Sequence, residues 1–112
     1  MGNLTLSAST LIGDKVVNYD GEDLGDVKEI MLNLETGEVA YIVVSFGGFL
    51  GIGDKLFAIP LTAFEIDTAN KQFKLDKSKE DLEKAPGFDK NNWPKPDSSY
   101  WTGDTLAEFY NL

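Results

Sequence analysis

The chain has 112 residues, 42% of them hydrophobic and 26% charged, and its 19 acidic residues against ten basic ones give a net charge of −9. All ten basic residues are Lys, and there is no His and no Cys. This composition excludes disulfides, imidazole and thiolate catalysis and the usual zinc, copper or haem ligands, and an acidic chain without guanidinium forks argues against binding nucleic acid.

Near the N-terminus, Ser7 or Ser9 is placed to cap a short helical turn through Leu11 and Ile12 that Gly13 ends. Residues 15–19 are short and β-branched and run into Asp20-Gly21, a hairpin signal because both residues tolerate positive φ. Residues 24–34 read as a longer strand with Ile30, Leu32 and Leu34 on one face and Val27 on the other, a phase change that predicts a bulge around Lys28 and Glu29. A second tight turn, Glu35-Thr36-Gly37-Glu38, leads into residues 39–46. That run is apolar on both alternating sets of positions, which predicts a central strand covered on two sides. Residues 55–59 form the next strand, ended by Pro60, which cannot donate to a ladder. Residues 64–66 and 72–75 alternate apolar and polar around a turn at Thr68-Ala69-Asn70-Lys71 and read as half-exposed strands.

Six short strands joined by tight turns, with no helix long enough for a parallel crossover, predict a mainly β fold. Its form is a small antiparallel six-stranded barrel, or a strongly twisted sheet closing on itself. After Asp76 the character changes. Ser78 and Asp81 have capping-box spacing, Leu82 is the one apolar anchor of a short helix, and Ala85-Pro86-Gly87 stops it. Residues 88–101 are rich in Asn, Asp, Pro and Ser yet carry Phe88, Trp93, Tyr100 and Trp101, which predicts an extended segment pinned to the barrel or to another subunit. A final short helix is expected over residues 105–112, where Leu106, Phe109 and Tyr110 have helical spacing. The chain thus divides into a barrel, residues 1–77, and a C-terminal extension, residues 78–112.

Two stretches invite a functional reading. From Asp14 to Glu38 there are eight acidic residues against Lys15 and Lys28. The hairpin within it, Asp20-Gly21-Glu22-Asp23-Leu24-Gly25-Asp26, lacks the alternating ligands and terminal Glu of a calcium loop, so a solvated negative turn is the better account. The second stretch, Phe46-Gly47-Gly48-Phe49-Leu50-Gly51-Ile52-Gly53, has the glycines of a phosphate cradle but leads into a strand rather than a helix, with apolar residues between them. It reads as a hairpin loop that either caps the core or offers an apolar contact to a partner. The serines and threonines have no His to act as base and no Lys in a Ser-x-x-Lys setting, so no catalytic residue is assigned.

The ordered set Leu11-Ile12-Gly13, Gly21-Glu22-Asp23-Leu24-Gly25-Asp26-Val27, Ala40-Tyr41-Ile42-Val43-Val44, Phe46 through Lys55, and Ala58-Ile59-Pro60 resembles the PRC-barrel domains. These are small β-barrels shared by the cytoplasmic part of the purple bacterial photosynthetic reaction-centre H subunit and by a ribosome-maturation factor. Ala85-Pro86-Gly87-Phe88-Asp89 and Trp93-Pro94 extend the likeness to stand-alone bacterial members, so that it runs from around Leu6 to the C-terminus. The resemblance implies a strand-rich barrel that docks onto other macromolecules and carries no catalytic residues. The chain lacks the H subunit's transmembrane helix and the maturation factor's preceding domain, which weighs against a photosynthetic or ribosomal role, and the missing Arg weighs further against the ribosomal one.

The expected function is a non-enzymatic protein-interaction or assembly module that uses no cofactor and no metal. It self-associates as a homo-oligomer, a dimer favoured, or docks onto a protein partner. The residues expected to make contact are Phe46, Phe49, Leu50 and Ile52 in the glycine loop and Trp93, Tyr100 and Trp101 in the extension. The alternative is a metal or small-ligand binder that uses the acidic hairpin. No apolar run approaches the roughly 18 residues that span a bilayer, and the first residues lack the parts of a signal peptide, so the expected location is cytoplasmic, without membrane insertion.

Overall fold

Apolar runs punctuated by Asn, Asp and Gly become strands, because β-branched and aromatic side chains suit a pleated surface and the punctuating residues suit the turns. The structure, a computed structural model, describes residues 5–46, 55–84, 87–89 and 93. Helix α1 (Ala8–Leu11) leads through Gly13 into β1 (Lys15–Val17), followed by β2 (Asp23–Asn33), β3 (Glu38–Phe46) and β4 (Lys55–Ile59). A 3-10 turn (Leu61–Ala63), β5 (Phe64–Asp67), β6 (Gln72–Leu75), helix α2 (Lys79–Lys84) and the two-residue β7 (Phe88–Asp89) complete the described elements. Ser7 occupies the N-cap of α1, but its hydroxyl meets Ser9 Oγ at 2.7 Å and makes no cap bond to a backbone N–H.

The fold is mainly β, a sheet of order β5-β6-β1-β2-β3-β4-β7 curled into a half-barrel. One pairing departs from the antiparallel expectation. β1 and β6 run parallel, with Lys15 opposite Gln72 and Val17 opposite Lys74. Parallel neighbours need a long connection, ordinarily a helix. Here the strands β2 to β5 serve as that connection and bring the β5–β6 hairpin round to the first strand.

β3 sits between β2 and β4, and Ile42, Val43 and Val44 are all buried although they are consecutive and face opposite sides. β4 repeats the pattern from Leu56 to Ile59. The core joins these residues to Val16, Leu24, Val27, Phe73 and Leu75, with the Phe64 ring edge-on to Phe73 at 5.3 Å. Each such side chain removed from water contributes about 1.5–3 kcal/mol. Leu82 brings α2 onto the same core, and the expected capping box closes its first turn. The Asp81 N–H donates to Ser78 Oγ at 3.0 Å, and the Ser78 N–H to Asp81 Oδ2 at 3.3 Å.

The bulge expected near Lys28 is present as a register shift between Val27 and Glu29, and a second shift falls between Met31 and Leu32. β1 pairs with β2 only as far as Asp26, and β4 pairs with β3 only from Ile42 onward. The rest of the β2–β3 hairpin, residues 29–33 and 38–41, therefore projects as a two-stranded arm beyond both neighbours. Ile30 and Met31 are half-buried at its base, while Leu32 and Leu34 are exposed.

Candidate functional site

The β1–β2 turn is built on Asn18, the one buried polar side chain among the described residues, at 5% exposure. Its Oδ1 accepts the N–H groups of Asp20 (3.0 Å) and Glu22 (2.9 Å). Its Nδ2 donates to Glu22 Oε1 (2.7 Å) and to the Lys77 carbonyl (3.2 Å). An Asn side chain has two donor hydrogens and an acceptor oxygen with two lone pairs, and all four capacities are used, which is what its burial requires. Glu22 Oε1 also accepts the Lys79 N–H at 3.4 Å, so one carboxylate of the acidic hairpin closes the start of α2. Sequence reasoning passed over Asn18. Its signal was an Asn two residues ahead of Asp20-Gly21, the spacing of a side chain that folds back on its own turn.

Beside this turn β2 crosses close to β3. Gly25 has φ +133°, and a Cβ there would run into the Ser45 carbonyl. Glycine is therefore required twice over, by conformation and by space. The close approach floors a cleft of about 250 Å³ lined by Lys15, Asp23, Asp26, Ser45, Phe46 and Lys79. Lys15 Nζ lies 3.1 Å from Asp26 Oδ1 and 3.4 Å from Asp23 Oδ2. Hydrogen bonding and charge from Asp26, then Asp23, raise the pKa of the Lys15 ammonium. Two carboxylates of the acidic hairpin are thus engaged by a lysine and a third by Asn18 and α2. Among the described residues no three such groups gather as metal ligands.

Phe46 closes one side of the cleft at 2% exposure, with its ring 6.2 Å from that of Phe57 and Lys79 Nζ 6.0 Å over it. Opposite it on β4, Lys55 donates from Nζ to the Glu83 carbonyl at 3.1 Å and lies 5.2 Å over the Phe57 ring. Residues 47–54 join these two paired positions, and Phe49, Leu50 and Ile52 lie outside the described residues. The extension returns to the sheet where Phe88 pairs with Leu56 of β4. Gly87 permits this, since a Cβ there would sit 2.8 Å from the Leu56 carbonyl. The Trp93 ring packs on Phe88 at 5.1 Å, tilted by 62°. Of the expected contact residues, Phe46 is thus placed in the core at the end of β3 and Trp93 over β7, whereas Tyr100, Trp101 and the final helix lie outside the described residues.

A family model for the PRC-barrel domain matches residues 5–82, more than half of the chain. The chain belongs to the PRC-barrel domain family. The match spans the Asn18 turn, the Gly25 crossing, the strands on either side of residues 47–54, and α2 as far as Leu82. Among solved structures, this PRC-barrel chain is similar to a 16S ribosomal RNA processing protein, RimM, from Pseudomonas aeruginosa, at 19% identity and a TM-score of 0.45. That likeness covers 67% of this chain and 45% of RimM, so the chain spans less than half the length of that protein. No curated protein matches it. Among the described residues no helix is long and apolar enough to cross a membrane.

Proposed function

We propose that this PRC-barrel chain is a non-enzymatic protein-interaction module that self-associates, as a dimer, or docks onto a protein partner through residues 47–54. The observation that carries this reading is the pairing of β3 with β4 up to Phe46 and Lys55. It obliges four glycines together with Phe49, Leu50 and Ile52 to connect two adjacent strands. Apolar side chains of that size at a strand connection favour contact with another apolar surface over water. Residues 78–112 are the extension that supports this end of the barrel, folded on it or on a neighbouring subunit, and Trp93, Tyr100 and Trp101 are its candidate contacts.

The non-enzymatic part rests on the lack of His and Cys and on the engagement of Asp23 and Asp26 by Lys15. The same engagement counts against the acidic hairpin as a cation site, because a divalent ion would have to displace the ammonium. With a net charge of −9, protein is a better partner than nucleic acid, and a cytoplasmic setting fits the sequence.

Sedimentation equilibrium of wild type and the Phe49→Asp/Leu50→Asp variant tests the proposal. A folded variant with a mass shifted to monomer supports the loop as the self-contact. An unchanged mass for the folded variant rejects it.

A further inference from the structure

We propose that the tip of the β2–β3 arm is a docking surface for a basic protein segment, one that sets Lys or Arg side chains around an apolar contact. The inference rests on the interaction-module reading but uses a different surface from residues 47–54. Leu34 is 88% exposed and Leu32 59%, two residues apart, at the end of a ribbon that no third strand flanks among the described residues. An isolated two-stranded hairpin is marginal in water. This one is nonetheless locally fixed at its end, where Asn33 Oδ1 accepts the Glu35 and Thr36 N–H groups and the Gly37 N–H donates to the Asn33 carbonyl at 2.8 Å. The leucines are therefore held outward on a shaped turn, which lowers the ordering cost of a contact.

Charge selects the occupant. Glu29, Glu35 and Glu38 are exposed along the arm, which carries no cationic residue of its own, Lys28 lying just before its base, and none of the three glutamates has an ammonium within ion-pair reach among the described residues. A second copy would set the same glutamates against each other, and nucleic acid or an anionic lipid surface would be repelled. Two bulges and the charged residues Lys28, Glu29 and Glu38 also guard the strand edges against backbone pairing, so the contact is made by side chains. A partner with cations flanking an apolar residue satisfies both the leucines and the glutamates.

The probe is a short synthetic peptide of alternating Leu and Lys, with a Leu/Glu peptide as control, titrated into the full chain and followed by residue-resolved NMR. The expected result is perturbation centred on residues 29–38 by the Lys peptide alone. Leu32→Ser/Leu34→Ser should weaken it about tenfold. Glu29→Gln/Glu35→Gln/Glu38→Gln should weaken it and flatten its salt dependence. Melting curves confirm folding, and Leu34→Ser alone, in the turn itself, repeats the test with the least disturbance. Phe49→Asp/Leu50→Asp should leave peptide binding unchanged, which separates this inference from the loop contact. Perturbation spread equally over Asp20, Glu22, Asp23 and Asp26 would mean charge alone and overturns the proposal. So does a dimer that Leu32→Ser/Leu34→Ser dissociates, since the occupant is then a second copy.

Discussion

Two turns of this protein are chemically alike and structurally opposite. The β1–β2 turn and the β2–β3 turn each begin with an Asn whose Oδ1 accepts two backbone N–H groups, each holds a glycine in the left-handed region (Gly21 at φ +85°, Gly37 at +78°), and each is rich in Glu or Asp. In the first, Asn18 is buried, and its amide and Glu22 reach Lys77 and Lys79, more than fifty residues away. In the second, Asn33 is exposed, and the hydrogen bonds of the turn, including the Glu38 N–H to Thr36 Oγ1 at 3.2 Å, stay within it. The comparison separates what a turn motif does locally from what its surroundings make of it. One turn has become a clasp between the sheet and α2, and the other a presented tip.

The largest effect should come from breaking the strand crossing next to the clasp. Gly25→Ala forces a Cβ toward the Ser45 carbonyl at a φ that L residues rarely adopt, and should cost about 3 kcal/mol in urea denaturation. A change below experimental error would mean that β2 and β3 are not so close. Next comes the pair Asn18→Ala and Asn33→Ala. The first removes the four hydrogen bonds of a buried side chain and should cost about 2–3 kcal/mol, whereas the second removes two at an exposed turn and should cost about 0.5 kcal/mol. Equal losses would erase the distinction between the turns.

The smallest effect sharpens the comparison through a third turn, β5–β6, which uses a carboxylate where the others use an amide. Asp67 accepts from the Asn70 side chain at 2.8 Å and from its N–H at 3.2 Å, and these bonds, ahead of the charge of Lys74, hold its carboxyl below the ordinary value. A carboxylate with a lowered folded pKa stabilises above its unfolded value of 3.8, and that contribution is lost as pH falls through the lower folded one. Asp67→Asn should therefore flatten the acid end of the stability profile. Asn33→Ala, which removes bonds to backbone N–H groups only, should shift that profile without changing its shape.

Much of this architecture was legible because its causes are local. The six main strands follow from apolar periodicity, the bulge near Lys28 from one change of phase, and the Ser78–Asp81 box from spacing alone. The parallel β1–β6 pairing was hidden because Val16 and Phe73 are neighbours only through the curl of the whole sheet. The role of Asn18 was hidden for the same reason, since nothing near it in the chain announces Lys77. The common face expected for Ile30, Leu32 and Leu34 is interrupted by the second bulge, between Met31 and Leu32, which leaves no pattern break as plain as the first. Of the expected contact residues, Phe46 was singled out because it abuts the glycines, and it lies buried at the end of β3 with Phe57 and Lys79 among its neighbours.

Residue-resolved amide hydrogen exchange tests the clasp-and-tip account most directly, through the N–H groups of Glu22 and Lys79 on one side and of Glu35 and Thr36 on the other. The clasp amides should exchange only when α2 leaves the sheet, about a hundredfold more slowly than the tip amides once intrinsic rates are divided out. Equal protection at the two turns, or faster exchange at Glu22 than at Thr36, would contradict it.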